Sequence, residues 1–387
     1  MKKILFISPQ PFFQWRGSPI RVNFNIIALT ELGYKIDLLT LPIGEQKEYE
    51  HCSIIRVTNP LGIRNIPIGP SLAKIFFDVL LFCKGVTLCI KNKYDVIHGV
   101  EEAGIIGVVL AKCFRAKSIF EKHSDPFSYR KGFLKNCLLS LYALTEKLTV
   151  RLSDAVIGTG KGLVSQVEKM GYPTRAFHIF DIPSSREEPS MEMVDRKRHE
   201  LIKNHGEVLV TFVGSFALYQ GVDLMFATIP EVAKKESLIR FIIIGGKGDE
   251  IDEKLRMLAQ LEVEKSVTFL GKVPPDTLPE YLFASDILLS PRISGMNTPL
   301  KILDYMKAGK PIMATDVPSH RLLLDETVAV FASPEPEQLA IAIHELAGDT
   351  EKRKKMGAAG RRLYETKYNF DNYRHQLSAC YQYVLSH

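Results

Sequence analysis

The segment Ser290–Asp316, SPRISGMNTPLKILDYMKAGKPIMATD, predicts a loop, a helix and a buried strand in succession. Asn297–Pro299 favours a helix start, because short polar side chains cap free backbone N–H groups and proline tolerates the first turn. Gly309 predicts the end of that helix. Pro311–Ala314 then has the apolar character of a short buried strand. Such a unit is typical of an α/β sheet that binds a ligand at the carboxyl ends of its strands.

Two cations flank the start of this helix. Arg292 comes just before it, and Lys301 lies in its first turn. A helix N-terminus attracts anions through its free N–H groups and its dipole, so we expect a phosphate group to bind here. Asp304, one turn further on, is placed to accept hydrogen bonds from sugar hydroxyls. The spacing predicts an apolar side of Leu300, Leu303 and Met306 and a polar side of Lys301, Asp304 and Tyr305.

Asp304 and the tail Tyr305–Ile312, YMKAGKPI, resemble the donor-binding segment of retaining glycosyltransferases of family 4, also called glycosyltransferase group 1. The signature of that family is Glu-x7-Glu followed by Ala/Tyr-Met-x-x-Gly-x-Pro-Ile/Val. Asp304 occupies its second acidic position, whereas the first falls on Met296. The Thr-Pro-Leu-Lys sequence at 298–301 resembles one branch of the family more closely. The resemblance extends over nearly the full chain and implies the GT-B fold, with two Rossmann-like doubly wound domains facing across a cleft.

Apolar strands alternate with helical segments along both halves of the chain, which predicts the α/β class. The charge-rich, proline-containing stretch Pro183–Gly206 separates the two series. We therefore expect an acceptor-side domain at 1–183 and a nucleotide-sugar donor domain at 184–367. The resemblance implies that a final helix within 368–387 packs back on the first domain.

Composition narrows the class of protein. The chain has 387 residues, of which 46% are apolar and 24% charged, as in soluble globular proteins. A net charge of +6 favours anionic ligands or an anionic membrane surface, but it is too weak to indicate nucleic acid binding. The six cysteines show no zinc-ligand spacing, so we expect small core residues in a reducing, cytoplasmic setting. Lys3–Ser8 indicates a first strand rather than a secretory signal.

The strand ends of the first half supply further candidates for the donor side. His123 follows the strand predicted at Ser118–Glu121 and matches the active-site histidine of the family, which implies a contact with the transferred sugar. Gly17 and Ser18 follow the first strand. The family has a glycine-rich loop there, near the donor phosphate, although the same residues also suit a plain turn.

Three charged residues are candidates for binding the acceptor. The Arg21 side chain either contacts a phosphate group or an acidic acceptor, or it is simply exposed to solvent. Glu101 and Glu102 follow a predicted strand that ends at Gly99. One of them either binds an acceptor hydroxyl or caps the helix that follows, and the second alternative is slightly favoured.

The second half departs from the family at two further positions. Ser215 stands where relatives often have Arg, and Gln220 stands where they usually have Lys. In the family, these Arg and Lys side chains normally bind the diphosphate. Their absence here either weakens diphosphate binding or leaves it to Arg292, Lys301 and backbone N–H groups. The resemblance implies the following donor-binding set: Gly17, Ser18, Gly214, Ser215, Gln220, Gly245, Gly246, Val273, Asn297, Thr298, Pro299, Leu300 and Asp304.

The catalytic set predicted from these residues is His123, Lys301 and Arg292. The implied reaction transfers a sugar from a nucleotide diphosphate to a hydroxyl of a glycan or lipid-linked saccharide, with retention. No Asp-x-Asp motif occurs in the sequence, which agrees with metal-independent chemistry, and we expect no cofactor besides the nucleotide-sugar co-substrate. The sequence names neither the base nor the sugar.

Several alternatives remain open at this level. The apolar and basic segments Leu72–Lys93 and Lys131–Arg151 either lie on the inner face of a membrane or pack on their own domain. A dehydrogenase would need a glycine fingerprint followed by an acid at the next strand end, and the sequence has no such set. A degenerate, non-catalytic binding protein is favoured by Ser215, Gln220 and Met296.

Overall fold

The computed structural model describes residues 1–14, 17–63, 66, 72–124, 133–234, 238–294 and 299–387, with the backbone alone at 72, 133–139 and 141. The described chain divides into two compact α/β units. The first unit consists of Met1–Asp181 and Asp371–His387, and the second of Ile182–Phe370.

The first unit is built on a parallel sheet, which has seven strands in the described ranges. These are β1 (Lys3–Ser8), β2 (Lys35–Thr40), β3 (Cys52–Arg56), β4 (Val96–Val100), β5 (Lys117–Lys122), β6 (Ala155–Gly158) and β7 (Ala176–His178). Their order across the sheet is β3-β2-β1-β4-β5-β6-β7. The order reverses between β1 and β4, and the crevice at such a reversal is where doubly wound sheets bind ligands.

Helices cover this sheet because its central strands are apolar on both faces. Ile4–Ile7 in β1 has no exposed surface, as expected of a parallel strand covered on both sides. The helices are α1 (Gly17–Glu31), α2 (Leu72–Lys91), α3 (Ala103–Phe114), α4 (Phe133–Leu152) and α5 (Lys161–Lys169). Phe77 and Leu81 of α2 pack with Leu5 and Ile97 of the sheet in one hydrophobic cluster.

The second unit has the same kind of parallel sheet, with six strands among the residues described. These are β8 (Val208–Val213), β9 (Ile239–Ile244), β10 (Val267–Gly271), β11 (Ile287–Ser290), β12 (Ile312–Thr315) and β13 (Ala329–Ala332). Their order is β10-β9-β8-β11-β12-β13. The reversal therefore lies between β8 and β11, where Gly214 and Pro291 follow the strand ends.

The helices of the second unit surround this sheet, and a last helix belongs mainly to the first unit. They are α6 (Met191–Leu201), α7 (Val222–Ala233), α8 (Gly248–Gln260), α9 (Leu278–Ala284), α10 (Lys301–Lys307), α11 (Pro318–Arg321), α12 (Pro336–Gly348), α13 (Thr350–Thr366) and α14 (Phe370–Ser386). Phe212, Phe226 and Phe241 lie in the core of the second unit.

Two helices begin earlier than the sequence predicts. The sequence pattern predicts one helix over Asn23–Leu32 and another over Glu253–Gln260, but α1 and α8 begin at Gly17 and Gly248. At α8 the side chain of Glu250 accepts a hydrogen bond from the Lys247 backbone N–H over 2.8 Å, which satisfies a free donor and extends the helix start.

Other expectations about burial were wrong. Tyr305 is fully buried instead of lying on a polar side, because its hydroxyl donates to the Leu289 carbonyl over 3.1 Å and accepts from the Val213 N–H over 3.2 Å. Cys83 and Cys113 are exposed rather than in the core. None of the helices in the described part of the chain combines the length and the apolar character needed to cross a bilayer.

Candidate functional site

The carboxyl edge of the second sheet brings Lys301 next to Gln220. Lys301 Nζ donates a hydrogen bond to Gln220 Oε1 over 2.8 Å and lies 4.4 Å from the centre of the Phe212 ring. Burial lowers the pKa of Lys301 to about 7, and the positive charge of Arg292 acts in the same direction. Lys301 therefore changes its charge close to neutral pH.

Arg292 is the second cation at this edge and follows β11 directly. Its side chain is only 6% exposed. Nε donates to the Ser294 carbonyl over 2.7 Å, and the guanidinium lies 5.4 Å from the Tyr219 ring centre. Burial lowers the pKa of Arg292, and no described carboxylate lies close enough to Arg292 or Lys301 to raise the pKa of either. A pair of cations without an acidic partner is suited to an anionic ligand.

Three predicted glycines form tight turns at the same edge. The Gly214 N–H donates to the Ile244 carbonyl over 2.9 Å, and the Gly245 N–H donates to the Gly271 carbonyl over 2.7 Å. Gly245 has φ +121°, and a Cβ there would come 1.9 Å from the Gly214 carbonyl oxygen. Gly246 has φ +79° and packs against the Phe216 ring. Only glycine allows these turns to approach each other so closely.

The remaining predicted donor-binding residues of this unit differ in their surroundings. Ser215 is exposed and Val273 is half-buried. Leu300 precedes α10 without a side-chain cap, and the Pro299 carbonyl accepts a hydrogen bond from the Ile302 N–H over 3.0 Å. Asn297 and Thr298, like Met296, lie outside the described residues. The assignment of these six residues to the donor site stays a prediction: Ser215, Val273, Asn297, Thr298, Pro299 and Leu300.

Asp304 contacts the segment that leads into the second unit. Its Oδ1 accepts hydrogen bonds from the Ser184 N–H over 2.7 Å and from the Ser184 hydroxyl over 2.9 Å. Burial raises the pKa of Asp304 to about 6, although the bonds from Ser184 act in the opposite direction. Lys307 Nζ donates to the carbonyls of Ser185 and Glu187 over 2.8 and 2.6 Å. The chain at 184–187 is thus held against α10 by Lys307 and by Asp304, the carboxylate that the sequence assigns to a ribose.

His123, in the first unit, is held by three neighbours. Its Nδ1 lies 3.0 Å from Ser18 Oγ, and its Nε2 lies 3.1 Å from Glu121 Oε1. Its backbone N–H donates to Glu101 Oε1 over 2.7 Å. Gly17 is exposed at the start of α1, one residue before Ser18. The structure therefore brings the predicted residues Ser18, Glu101 and His123 together at the carboxyl ends of β4 and β5.

Glu121 is the centre of this cluster, and sequence reasoning missed it. The side chain is fully buried and contacts Arg21 Nε, while Asn25 Nδ2 donates to its Oε2 over 2.7 Å. His98 Nε2 lies 3.0 Å from the same Oε2 atom. Burial alone would raise the pKa of Glu121, but the charge of Arg21 and the bonds to His123 and His98 hold it well below its usual value. The signal in the sequence was a glutamate directly after the apolar pair Ile119 and Phe120 of a predicted strand.

The predicted acceptor-binding residues also have internal partners. Arg21 is 4% exposed instead of solvated, and its Nη1 donates to Asp181 Oδ1 over 2.9 Å. Glu101 accepts from the His123 N–H rather than capping α3, which has no side-chain cap. Glu102 Oε1 lies 2.6 Å from Lys74 Nζ. Acceptor binding by Arg21, Glu101 and Glu102 stays a prediction.

A neutral histidine lies beside the two cations of the second unit. His320 Nε2 lies 2.8 Å from Ser290 Oγ at the end of β11, and its Nδ1 lies 2.8 Å from the Thr315 carbonyl oxygen. Burial lowers the pKa of His320 to about 4, and the charges of Arg292 and Lys301 contribute. Across the ranges that the structure covers, no three His, Cys, Asp or Glu side chains are grouped to hold a metal ion.

Comparison with known proteins identifies a domain in the second unit. Residues 193–363 match the family model described as glycosyl transferases group 1. An uncharacterized glycosyltransferase of Methanocaldococcus jannaschii is 24% identical over 373 residues, which covers 92% of each chain. Spore coat protein SA of Bacillus subtilis is 22% identical over 306 residues, covering 76% of this chain and 79% of that protein.

Solved structures share the fold over the whole chain. Sucrose-phosphate synthase of Thermosynechococcus elongatus has a TM-score of 0.77 at 19% identity and full coverage of both chains. Anabaena HepE, solved in complex with UDP-glucose, has a TM-score of 0.73 at 16% identity, covering 99% of this chain and all of that one. The protein therefore has the GT-B fold, as the sequence predicts, with one Rossmann-like sheet in each unit.

Proposed function

We propose that this protein is a retaining glycosyltransferase of family 4 that moves a hexose-type sugar from a nucleotide diphosphate to a hydroxyl of a glycan or lipid-linked saccharide, without a metal ion. The observation that carries the proposal is the pair Arg292 and Lys301. Arg292 is buried and Lys301 is half-buried at the sheet reversal, and neither has an acidic partner among the described residues. Burial of unpaired cations is costly, so a site of this kind favours an anionic ligand.

In the proposed reaction, the bond from the anomeric carbon to the diphosphate breaks while the acceptor oxygen forms its bond on the same face. The leaving diphosphate takes the acceptor proton. Lys301 and Arg292 stabilise the negative charge that grows on the leaving group. His123 orients the sugar, Gly17 and Ser18 border it, and Asp304 binds the ribose in exchange for its bonds to Ser184.

The comparisons support this chemistry in general terms. The group 1 domain includes Arg292, Lys301 and Asp304. HepE was solved with UDP and with UDP-glucose, and alpha-monoglucosyldiacylglycerol synthase of Streptococcus pneumoniae is 23% identical over 300 residues. We further propose a cytoplasmic enzyme that works in the synthesis of a surface polysaccharide or glycolipid.

The test is a thermal-shift screen of the full chain against UDP, GDP, ADP and TDP and their common sugars, without metal. We expect the melting temperature to rise with one nucleotide series, and we expect Lys301→Ala and Arg292→Ala each to abolish most of that rise. Lys352→Ala is the matched control, because Lys352 is exposed on α13. If no nucleotide raises the melting temperature of the wild-type protein, the proposed donor site is wrong.

A second candidate is a non-catalytic protein that only holds a nucleotide sugar or a partner. Ser215 and Gln220 favour it, because they remove two cations that the family normally provides. The two candidates differ in turnover. A wild-type protein that binds a nucleotide sugar but neither transfers nor hydrolyses the sugar, with Gln220→Lys still inactive, would support the binding protein.

A further inference from the structure

Helices α2, α3 and α4 of the first unit expose many apolar side chains. α2 packs against α3, and α3 packs against α4. On α2, the side chains of Ile75, Val79, Phe82 and Ile90 are exposed by 47%, 57%, 37% and 71%. Their spacing places them along one side of the helix. A surface helix ordinarily has polar residues on that side.

The two neighbouring helices extend this apolar surface. Val109 and Phe114 on α3 are exposed, and so are Leu144, Leu148 and Leu152 on α4. Single exposed apolar residues are common, but a group on adjacent elements marks an interaction site. We call the exposed side chains of these three helices the α2–α4 face.

The charged residues of the α2–α4 face all have the same sign. The exposed cations are Lys112 on α3 and Lys147 and Arg151 on α4, and the exposed Lys84 and Lys91 lie on the side of α2 away from its apolar row. None of the described side chains exposed on these helices is Asp or Glu. By contrast, α8 of the second unit exposes Asp249, Asp252 and Glu253. The excess of positive charge is therefore a local property and not a consequence of the net charge of +6.

The acidic residues of the region point to internal partners. Glu146 of α4 contacts Lys122 of β5. Asp78 of α2 is half-buried, and burial together with the charge of Glu102 raises its pKa to about 7. These contacts keep negative charge away from the exposed side of the helices.

We propose that the α2–α4 face binds a lipid bilayer that contains anionic lipids. Its apolar side chains insert between the headgroups, while the lysines and Arg151 attract the negative surface. A second copy of the chain suits this face less well, because a two-fold contact would bring its cations against one another. The inference goes beyond the proposed function, because it concerns where the protein binds and does not depend on transfer chemistry.

The first experiment is co-sedimentation of the full chain with vesicles of phosphatidylcholine, either alone or mixed with phosphatidylglycerol. We expect binding to the anionic vesicles only, weakened by salt. The double variant Lys147→Glu/Arg151→Glu should lower the partition coefficient by at least about tenfold, because helical spacing places both cations beside the exposed leucines of α4. Lys352→Glu/Lys355→Glu on α13 makes the same change in net charge and should bind like the wild type. Equal melting temperatures of the variants exclude unfolding as the cause.

A second readout locates the contact. Cys83 is exposed on α2, so an environment-sensitive dye attached to it in a Cys113→Ser/Cys137→Ser background should shift to the blue with anionic vesicles. The same dye on Lys355→Cys, with Cys83 also replaced by serine, should not shift. Binding to neither vesicle type, equal binding to both, or equal losses in the two charge variants would each overturn the proposal. If the wild-type protein binds no vesicles but forms a dimer, and Val79→Glu dissociates that dimer, the α2–α4 face binds a second copy of the chain instead.

Discussion

Nε2 of His123 lies 3.1 Å from Oε1 of Glu121. The pKa of Glu121 is held well below its usual value, so the carboxylate is charged at neutral pH and Nε2 carries the proton that it donates. In the neutral imidazole, Nδ1 then accepts a hydrogen bond from the Ser18 hydroxyl, 3.0 Å away. Glu121 thereby fixes both the tautomer and the orientation of the ring that we assign to the transferred sugar.

Replacing Glu121 tests this relationship. Glu121→Gln removes the charge that orients His123, so we expect kcat to fall roughly tenfold to a hundredfold with little change in KM for the donor. Asn25→Ala is the control, since Asn25 binds the other carboxylate oxygen, and it should lower stability while leaving kcat near wild type. Wild-type kcat in Glu121→Gln would contradict the positioning role.

Lys301 should make nucleotide binding depend on pH. Its pKa of about 7 lies below the ordinary 10.5, and in the proposed donor site the protonated form binds the diphosphate. The affinity is therefore constant below pH 7. It then falls by up to about tenfold per pH unit as the pH rises, until the higher pKa of the bound state is reached.

Calorimetry at pH 8 in buffers of different ionisation enthalpy should detect the uptake of a proton on nucleotide binding. Lys301→Arg should flatten the profile, because a guanidinium stays protonated. Binding without proton uptake would show that Lys301 does not contact the diphosphate.

Asp304→Asn should separate stability from ligand binding. The folded-state pKa of about 6 exceeds the ordinary 3.8, so the folded protein binds more protons between these values and loses stability as the pH rises through them. An asparagine keeps the acceptor for Ser184 without the charge, and we expect it to raise the free energy of unfolding by about 1–2 kcal/mol at pH 7. At pH 3.5 the gain should vanish.

The same variant should weaken nucleotide binding, since the amide is a poorer acceptor for the ribose hydroxyls. Urea unfolding at both pH values and nucleotide titration provide the measurements. Glu345→Gln, at an exposed position of α12, is the control for the loss of one negative charge. A stabilised variant with unchanged nucleotide affinity would refute the ribose assignment and leave Asp304 a purely structural residue.

The sequence predicts those features that depend on local patterns. The strand ends after β5, β8 and β11 follow from apolar runs that end in polar or glycine residues, which is why His123, Gly214 and Arg292 could be identified. The α/β class follows from the repeated series of strands and helices, and the GT-B fold is what the resemblance of the segment around Asp304 to family 4 implies. These signals come from residues that are close together in the chain.

The sequence does not show which side chains contact each other when they are far apart in the chain. Glu121 belongs to a strand whose pattern predicts burial, but its partner Arg21 comes from α1, and no periodicity connects the two. Likewise, the loss of a family lysine at Gln220 gives no indication that Lys301 Nζ reaches the same place. Tyr305 follows the same rule, because its hydroxyl is satisfied by backbone groups of two strands that helical spacing does not reveal.

Two glycines with positive φ provide a matched test of the turn at the second sheet. A Cβ at Gly33, with φ +82°, meets nothing within 4 Å, whereas one at Gly245, with φ +121°, would come 1.9 Å from the Gly214 carbonyl oxygen. Gly33→Ala therefore carries only backbone strain, about 1 kcal/mol. Gly245→Ala must also displace Gly214, and we expect it to cost at least about 2 kcal/mol more.

Urea unfolding of both variants measures that difference. Because Gly214 lies beside Lys301, its displacement in Gly245→Ala should also abolish the thermal shift produced by the preferred nucleotide, while Gly33→Ala keeps it. Equal destabilisation of the two variants would mean that the turn has room for a side chain. A large destabilisation with the nucleotide response intact would place the diphosphate away from Gly214.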